Sequence, residues 1–278
     1  MKAKTALPLT GPWLACYAGF MAAQPERLVD LARSHPGDRE VTLYIKGFLA
    51  RGEKPDDFGA WLASHRRLEI TRGWGPRARG YCWPSGRLAK VPVPLATTAK
   101  VAWDLYRHSG VLRRANVAGN AGLAIGEVAL RLASQYVAVS RSFDKRADHL
   151  ARKLARLAAR YDRVRVVAHS LGCRQIVEAA SHLKPDRRPH EIHLCASACR
   201  EKDVAAKLPH LAREQTYQYY TANDLVLATA FTVMAWGRAL GAAGLRHDYA
   251  GLTAIDVSDH FSFRVHGEYK HRFPEFAA

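Results

Sequence analysis

Acidic residues are scarce beside basic ones: 25 Asp+Glu stand against 42 Lys+Arg, a formal charge of +17 in 278 residues. That balance favours anionic partners such as nucleic acid, an anionic membrane surface or acidic ligands. The patterns that turn charge into nucleic-acid recognition are missing, with no zinc-finger spacing and no basic region joined to a zipper. The densest basic set, Arg152, Lys153, Arg156 and Arg160, falls at helical spacing opposite Leu150, Leu154, Leu157 and Tyr161. It reads as one solvated helix face. Nucleic acid is therefore not expected as a partner, while peripheral contact with an anionic membrane stays open. Cysteine is also sparse. The five, Cys16, Cys82, Cys173, Cys195 and Cys199, are odd in number, and three fall in or beside expected core strands. Reduced, buried thiols fit this better than a disulfide framework. Cys195 and Cys199 lack a second pair to complete a zinc site. No metal and no cofactor is expected.

Repeats and low-complexity tracts are absent, and long apolar runs are few. Residues 225–245 are long enough to cross a bilayer, but Arg238 and Gly237, Gly241 and Gly244 interrupt them. The return segment holds only one strand and a polar loop, neither of which crosses lipid alone. The run is read as a buried helix and part of an apolar entrance. Residues 6–23 follow two lysines and resemble a signal peptide. Pro8 and Pro12 break that stretch, and 19–23 make a poor cleavage site, so an uncleaved cytoplasmic protein is expected.

At 48% hydrophobic, the chain can bury one large α/β core. Residues 1–40 read as an N-terminal segment with a short helix over 25–34, and 41–278 as the main domain. Strands are expected at 41–45, 79–83, 164–167, 191–196, 216–220 and 253–257. Helices at 56–64, 171–183 and 201–211 alternate with them. Alternation of this kind gives a mostly parallel sheet with helices on both faces. Residues 95–161 read as a helical insertion or cap; within it Ala118, Gly122, Gly126 and Ala133 suggest closely packed helices. Residues 258–271 read as a loop rich in histidine and aromatics.

One stretch organises the rest. Residues 164–167 form a β-branched strand that runs into Ala168-His169-Ser170-Leu171-Gly172 and then a helix. Strand, sharp turn bearing serine, helix is the layout of a nucleophile elbow. A serine needs a base to take its proton and an acid to hold that base in the right tautomer. Chain order supplies both: Asp224 follows strand 216–220, and His266 follows strand 253–257, with His260 as the alternative base and His271 a distant third. The structural alternatives, weighed below catalysis, are that Asp224 caps the helix after it and Ser170 its own helix. His169 is expected to point away from the serine and to pack. An oxyanion hole would use the amide of Leu171, at the helix N-terminus, and an amide near Phe48.

Ala168-His169-Ser170-Leu171-Gly172, with Lys46-Gly47-Phe48 after the first strand, resembles the α/β-hydrolase superfamily of serine esterases and lipases. Gly47-Phe48-Leu49, Trp83, Arg174 and Asn223-Asp224 extend the likeness to a branch that includes the transmembrane and coiled-coil domain-containing hydrolases. The resemblance implies a mostly parallel α/β-hydrolase sheet and a triad of Ser170, Asp224 and His266. It departs at Ala168, where glycine is usual, and at Lys46, where many members have histidine. Little chain precedes residue 41, so the usual first antiparallel strands are not expected. The reading is a serine hydrolase of carboxylic esters, with lipid or small-molecule acyl esters as candidate substrates and acyl transfer open to the same residues. The rival is a non-catalytic scaffold of the same fold that binds an anionic membrane or a protein partner.

Overall fold

The computed structural model describes residues 26–33, 35–47, 53–85, 143–231, 237–261 and 265–278. Phe48, Cys16, the small-residue line in the insertion and the signal-like stretch lie outside them. So does the insertion up to residue 142.

Among the described residues, seven strands form one sheet: β1 (Arg27–Asp30), β2 (Glu40–Ile45), β3 (Ala78–Cys82), β4 (Arg163–His169), β5 (Glu191–Cys195), β6 (Gln215–Tyr220) and β7 (Leu252–Asp256). Their order is β1-β3-β2-β4-β5-β6-β7. All neighbours are parallel except β1, which runs antiparallel to β3 with Leu28 opposite Tyr81. The fold is α/β, a mostly parallel sheet with helices on both faces. Helix α2 (Phe143–Arg160) and helix α3 (Leu171–Ser181) cover one face. Helix α1 (Gly59–Arg72) and helix α6 (Val265–Phe276) cover the other. Short helices α4 (Glu201–Val204) and α5 (Leu240–Ala243) lie between strands.

The period of two in the central strands separates the two layers. Val164, Val166 and Ala168 of β4 face Leu150, Leu154 and Ile176 in one core, whereas Val167 joins Tyr44, Trp61 and Phe273 in the other. β4 is buried from Val164 to Ala168, and its central run Val166-Val167-Ala168 is apolar, as a strand covered on both sides requires.

Three expectations are corrected. The helix over 25–34 is strand β1: Leu28 and Val29 pack against opposite cores, and the free edge of β3 captures the segment's backbone. One antiparallel strand thus precedes β2, drawn from the segment that the sequence placed outside the domain. The run 225–245 is not one buried helix. Val226–Phe231 is a π-helical turn, α5 is separate, and Leu225 and Val226 are exposed. Gly241 has no room for a side chain, since a Cβ there would lie 2.3 Å from the Ser197 amide nitrogen, and Gly244 turns the chain at φ 66°. Lastly, the expected loop 258–271 contains a 3-10 turn (Ser258–His260) and most of α6.

Helix α6 carries a proline inside it, Pro274. Proline has no N–H to give the carbonyl four residues back, that of Lys270. Ser64 of α1, itself buried, donates its hydroxyl to that carbonyl at 2.5 Å. The helix survives its proline because its neighbour supplies the missing donor. Val265, Tyr269, Phe273 and Phe276 then form one buried stripe. Phe273 meets Trp61, Trp74, His193 and Tyr219 at ring-centroid distances of 6.2, 6.0, 5.5 and 5.7 Å.

Candidate active site

Ser170 sits between β4 and α3 at φ 55°, ψ −122°. A non-glycine residue there costs about 1–3 kcal/mol and persists only where its surroundings enforce it. They do so through the backbone. Ser170 N–H donates to the Cys195 carbonyl at 2.9 Å, and the Ser170 carbonyl accepts from the amides of Cys173 and Ala198, each at 3.1 Å. The end of β2 presses against the turn. A Cβ on Gly47 would lie 2.6 Å from Ser170 Cβ, 2.7 Å from the His169 carbonyl oxygen and 2.8 Å from the Leu171 nitrogen. One on Gly172 would lie 2.7 Å from the Ile45 carbonyl oxygen. Ala168 is fully buried at the first elbow position.

Asp224 follows β6 and is fully buried. Its Oδ1 accepts from the Leu227 amide at 3.1 Å. The cap role and the acid role thus use different oxygens, because Oδ2 accepts from His266 Nδ1 at 2.7 Å. His266 lies in the first turn of α6, and its Nε2 stands 3.0 Å from Ser170 Oγ. With Nδ1–H given to the carboxylate, Nε2 is left to accept the serine proton. The structure therefore brings Ser170, Asp224 and His266 together. His260 is elsewhere: its Nδ1 lies 4.0 Å from Glu275, and its ring packs 5.3 Å from Phe276. His271 lines a small cavity of about 100 Å³ with Glu53, Asp57, Trp61 and Lys270.

The amide of Leu171 stands at the N-terminus of α3, where unpaired N–H groups and the helix dipole favour a developing negative charge. Phe48, the other expected oxyanion contributor, lies outside the described residues. Lys46, the departure at the end of β2, is occupied with structure. Its Nζ donates to the carbonyls of Lys54 and Asp57 at 2.8 and 2.6 Å and to Glu53 Oε1 at 3.2 Å. The indole N–H of Trp83 donates to the Lys46 carbonyl at 2.7 Å, fixing the strand end beside Gly47.

Two contributors escaped sequence reasoning. The His169 ring packs against Trp61 and Tyr269, and its Nε2 also lies 2.7 Å from the carbonyl oxygen of His266. Asn223, seen only as part of a resemblance, donates to the carbonyls of Ser258 and Phe261 at 3.3 and 3.2 Å. The one available signal was position: each residue immediately precedes Ser170 or Asp224.

Cys82, Cys173, Cys195 and Cys199 are free and buried. Burial raises the thiols of Cys173 and Cys195 far above their ordinary value and pushes Cys199 up to about 12. None is a thiolate nucleophile at neutral pH. No group of three His, Cys, Asp or Glu among the described residues could hold a metal ion. No helix among them is long and apolar enough to cross a membrane.

Neither the protein-family models nor the curated proteins give a match to this chain. Among solved structures it is similar to a crystal structure described as a predicted CIB-like hydrolase from Thermoplasma acidophilum. Identity is 12%, covering 90% of this chain and 87% of that one, with a TM-score of 0.41. A likeness that distant carries nothing about reaction or substrate.

Proposed function

We propose that the protein is a serine hydrolase of carboxylic esters, with Ser170 as nucleophile, His266 as base and Asp224 as the acid that orients it. The observation that carries this reading is the continuous chain Asp224–His266–Ser170, at 2.7 and 3.0 Å, ending on a serine in a strained strand-to-helix turn. A structural serine needs neither the strain nor the histidine.

In the first half-reaction, Ser170 Oγ bonds to the ester carbonyl carbon while His266 Nε2 takes its proton. The carbonyl π pair moves onto oxygen, facing the Leu171 N–H. Collapse of that oxyanion expels the alkoxide, which leaves with the proton from His266 as an alcohol, and an acyl-Ser170 ester remains. In the second half, His266 takes a proton from water as its oxygen attacks the acyl carbon. Collapse returns the proton to Ser170 and frees the carboxylic acid. Asp224 stays ionised and stabilises the imidazolium formed in both halves. If an alcohol replaces water, the same residues perform acyl transfer.

The apolar side chains of Leu225 and Val226 are exposed directly after Asp224. They support an acyl or lipid ester over a charged substrate. The test is hydrolysis of p-nitrophenyl esters of increasing acyl length by purified protein. We expect turnover that falls by about 10⁴-fold or more in Ser170→Ala. Equal turnover in wild type and Ser170→Ala would remove the reading and leave the scaffold alternative, whose signature is liposome binding that weakens with salt.

A further inference from the structure

The base is held differently from its two partners. Ser170 is fixed by backbone hydrogen bonds on three sides, and Asp224 by its own turn, with its N–H to the Thr221 carbonyl at 3.3 Å. His266 lies in a helix that starts at Val265. Helix ends fray, so a residue in the first turn gains from external fixing.

Two side chains provide it. The His266 carbonyl can only accept, so the N–H in its 2.7 Å contact with His169 belongs to His169 Nε2. A carbonyl oxygen has two lone pairs, so α6 and His169 can both use it. The two imidazoles also lie with ring centroids 4.9 Å apart. Burial, and then the neighbouring His266, push His169 down to about 3. Its ring is neutral at pH 7 and has a single N–H to give. Asn223 Nδ2 donates to the carbonyls of Ser258 and Phe261, which precede His266 in the chain. The Asn223 backbone N–H donates to Thr221 Oγ1 at 3.1 Å, fixing the turn that carries this side chain.

We infer that His169 and Asn223 are positioning residues, each preceding one member of the Ser170–Asp224 pair: His169 donates to the carbonyl of His266 itself, and Asn223 to the carbonyls of Ser258 and Phe261 that precede it in the chain. The elbow thus contributes the nucleophile and, one residue earlier, a clamp on the base; the acid turn does the same. This rests on the triad reading, and it assigns His169 a role beyond filling the layer between the sheet and α1 and α6. Neither residue touches the reacting atoms.

The test uses His169→Phe, which keeps the ring contacts to Trp61 and Tyr269 and deletes the donor. Its partners are His169→Gln, whose amide restores an N–H, and Asn223→Ala. A misplacement of about 1 Å near the chemistry costs roughly 100-fold. His169→Phe should therefore lower kcat by about 10- to 100-fold with KM unchanged. His169→Gln should recover most of the loss, and Asn223→Ala should lose less, because it holds the segment and not His266 itself. The independent readout is the downfield ¹H NMR resonance of the His266 Nδ1–H bonded to Asp224. It should weaken or vanish in His169→Phe, persist in His169→Gln and be absent in Asp224→Asn. A folded His169→Phe with wild-type kcat and an unchanged resonance overturns the inference. If that variant does not fold, an unchanged kcat and resonance in Asn223→Ala overturns it. Should no ester be hydrolysed at all, the resonance still decides, since it reads the Asp224–His266 geometry whatever the reaction.

Discussion

Adding one methyl group at Gly47 probes the elbow without replacing a proposed catalytic residue. The Cβ of Gly47→Ala would meet Ser170 Cβ at 2.6 Å, the His169 carbonyl oxygen at 2.7 Å and the Leu171 nitrogen at 2.8 Å. Ordinary carbon contacts begin near 3.5 Å, so the overlap is several tenths of an ångström on three sides. Two of the neighbours are backbone atoms of the turn, which no rotamer change can move. The strain must go into shifting the elbow off the end of β2. Overpacking of this kind costs about 1–3 kcal/mol, and a domain of ordinary stability survives it. The functional loss should be larger in proportion, because the methyl crowds the amide proposed to receive the oxyanion. Loss of one such donor costs about 10²–10³ in kcat. Urea unfolding and the rate of fluorophosphonate labelling measure the two effects separately. Gly37→Ala, whose Cβ meets nothing within 4 Å, is the control and should leave both unchanged. A Gly47→Ala protein with wild-type urea midpoint and labelling rate would refute the placement of the elbow against β2.

Other perturbations separate structure from chemistry. Asp224→Asn keeps a side-chain oxygen for the Leu227 amide but cannot stabilise the imidazolium; kcat should fall by about 10⁴ with little change in Tm, and a large Tm loss with intact kcat would make Asp224 a cap only. Ser64→Ala leaves the Lys270 carbonyl without its donor beside Pro274. It should destabilise by about 1–3 kcal/mol, read by urea unfolding, and faster hydrogen exchange should appear in α6 before the sheet. Acid should unfold the protein early. Burial lowers His65 to about 4 and His169 to about 3, and lowers His193 too, from an ordinary value of 6.5. The unfolded chain then binds protons that the folded chain refuses. Their contribution is complete above pH 6.5 and is lost as pH falls towards the folded-state values of about 4 for His65 and about 3 for His169. A flat urea midpoint between pH 6.5 and 4.5 would contradict those burials.

The sheet was legible because parallel strands covered on both faces carry buried apolar runs, such as Leu43-Tyr44-Ile45 of β2 and Val166-Val167-Ala168 of β4. β1 was not, since Leu28 and Val29 suit a helix as readily as a strand and only the edge of β3 decides. The order Ser170, Asp224, His266 could be read because each residue follows a strand. The choice between His260 and His266 could not, as both fell in a span read as loop. The stripe Val265, Tyr269, Phe273, Phe276 marks α6, but its proline argues against a helix until Ser64 is seen beside Lys270. Contacts made through backbone carbonyls, such as those of His169 and Asn223, leave no compositional trace at their receiving end.

The most direct measurement is peptide mapping after reaction with a fluorophosphonate probe. A phosphonyl adduct confined to Ser170, formed quickly by the wild type and far more slowly by His266→Ala, is the predicted result. An unmodified Ser170 peptide, or an adduct that forms at the same rate without His266, would contradict a serine activated by this triad.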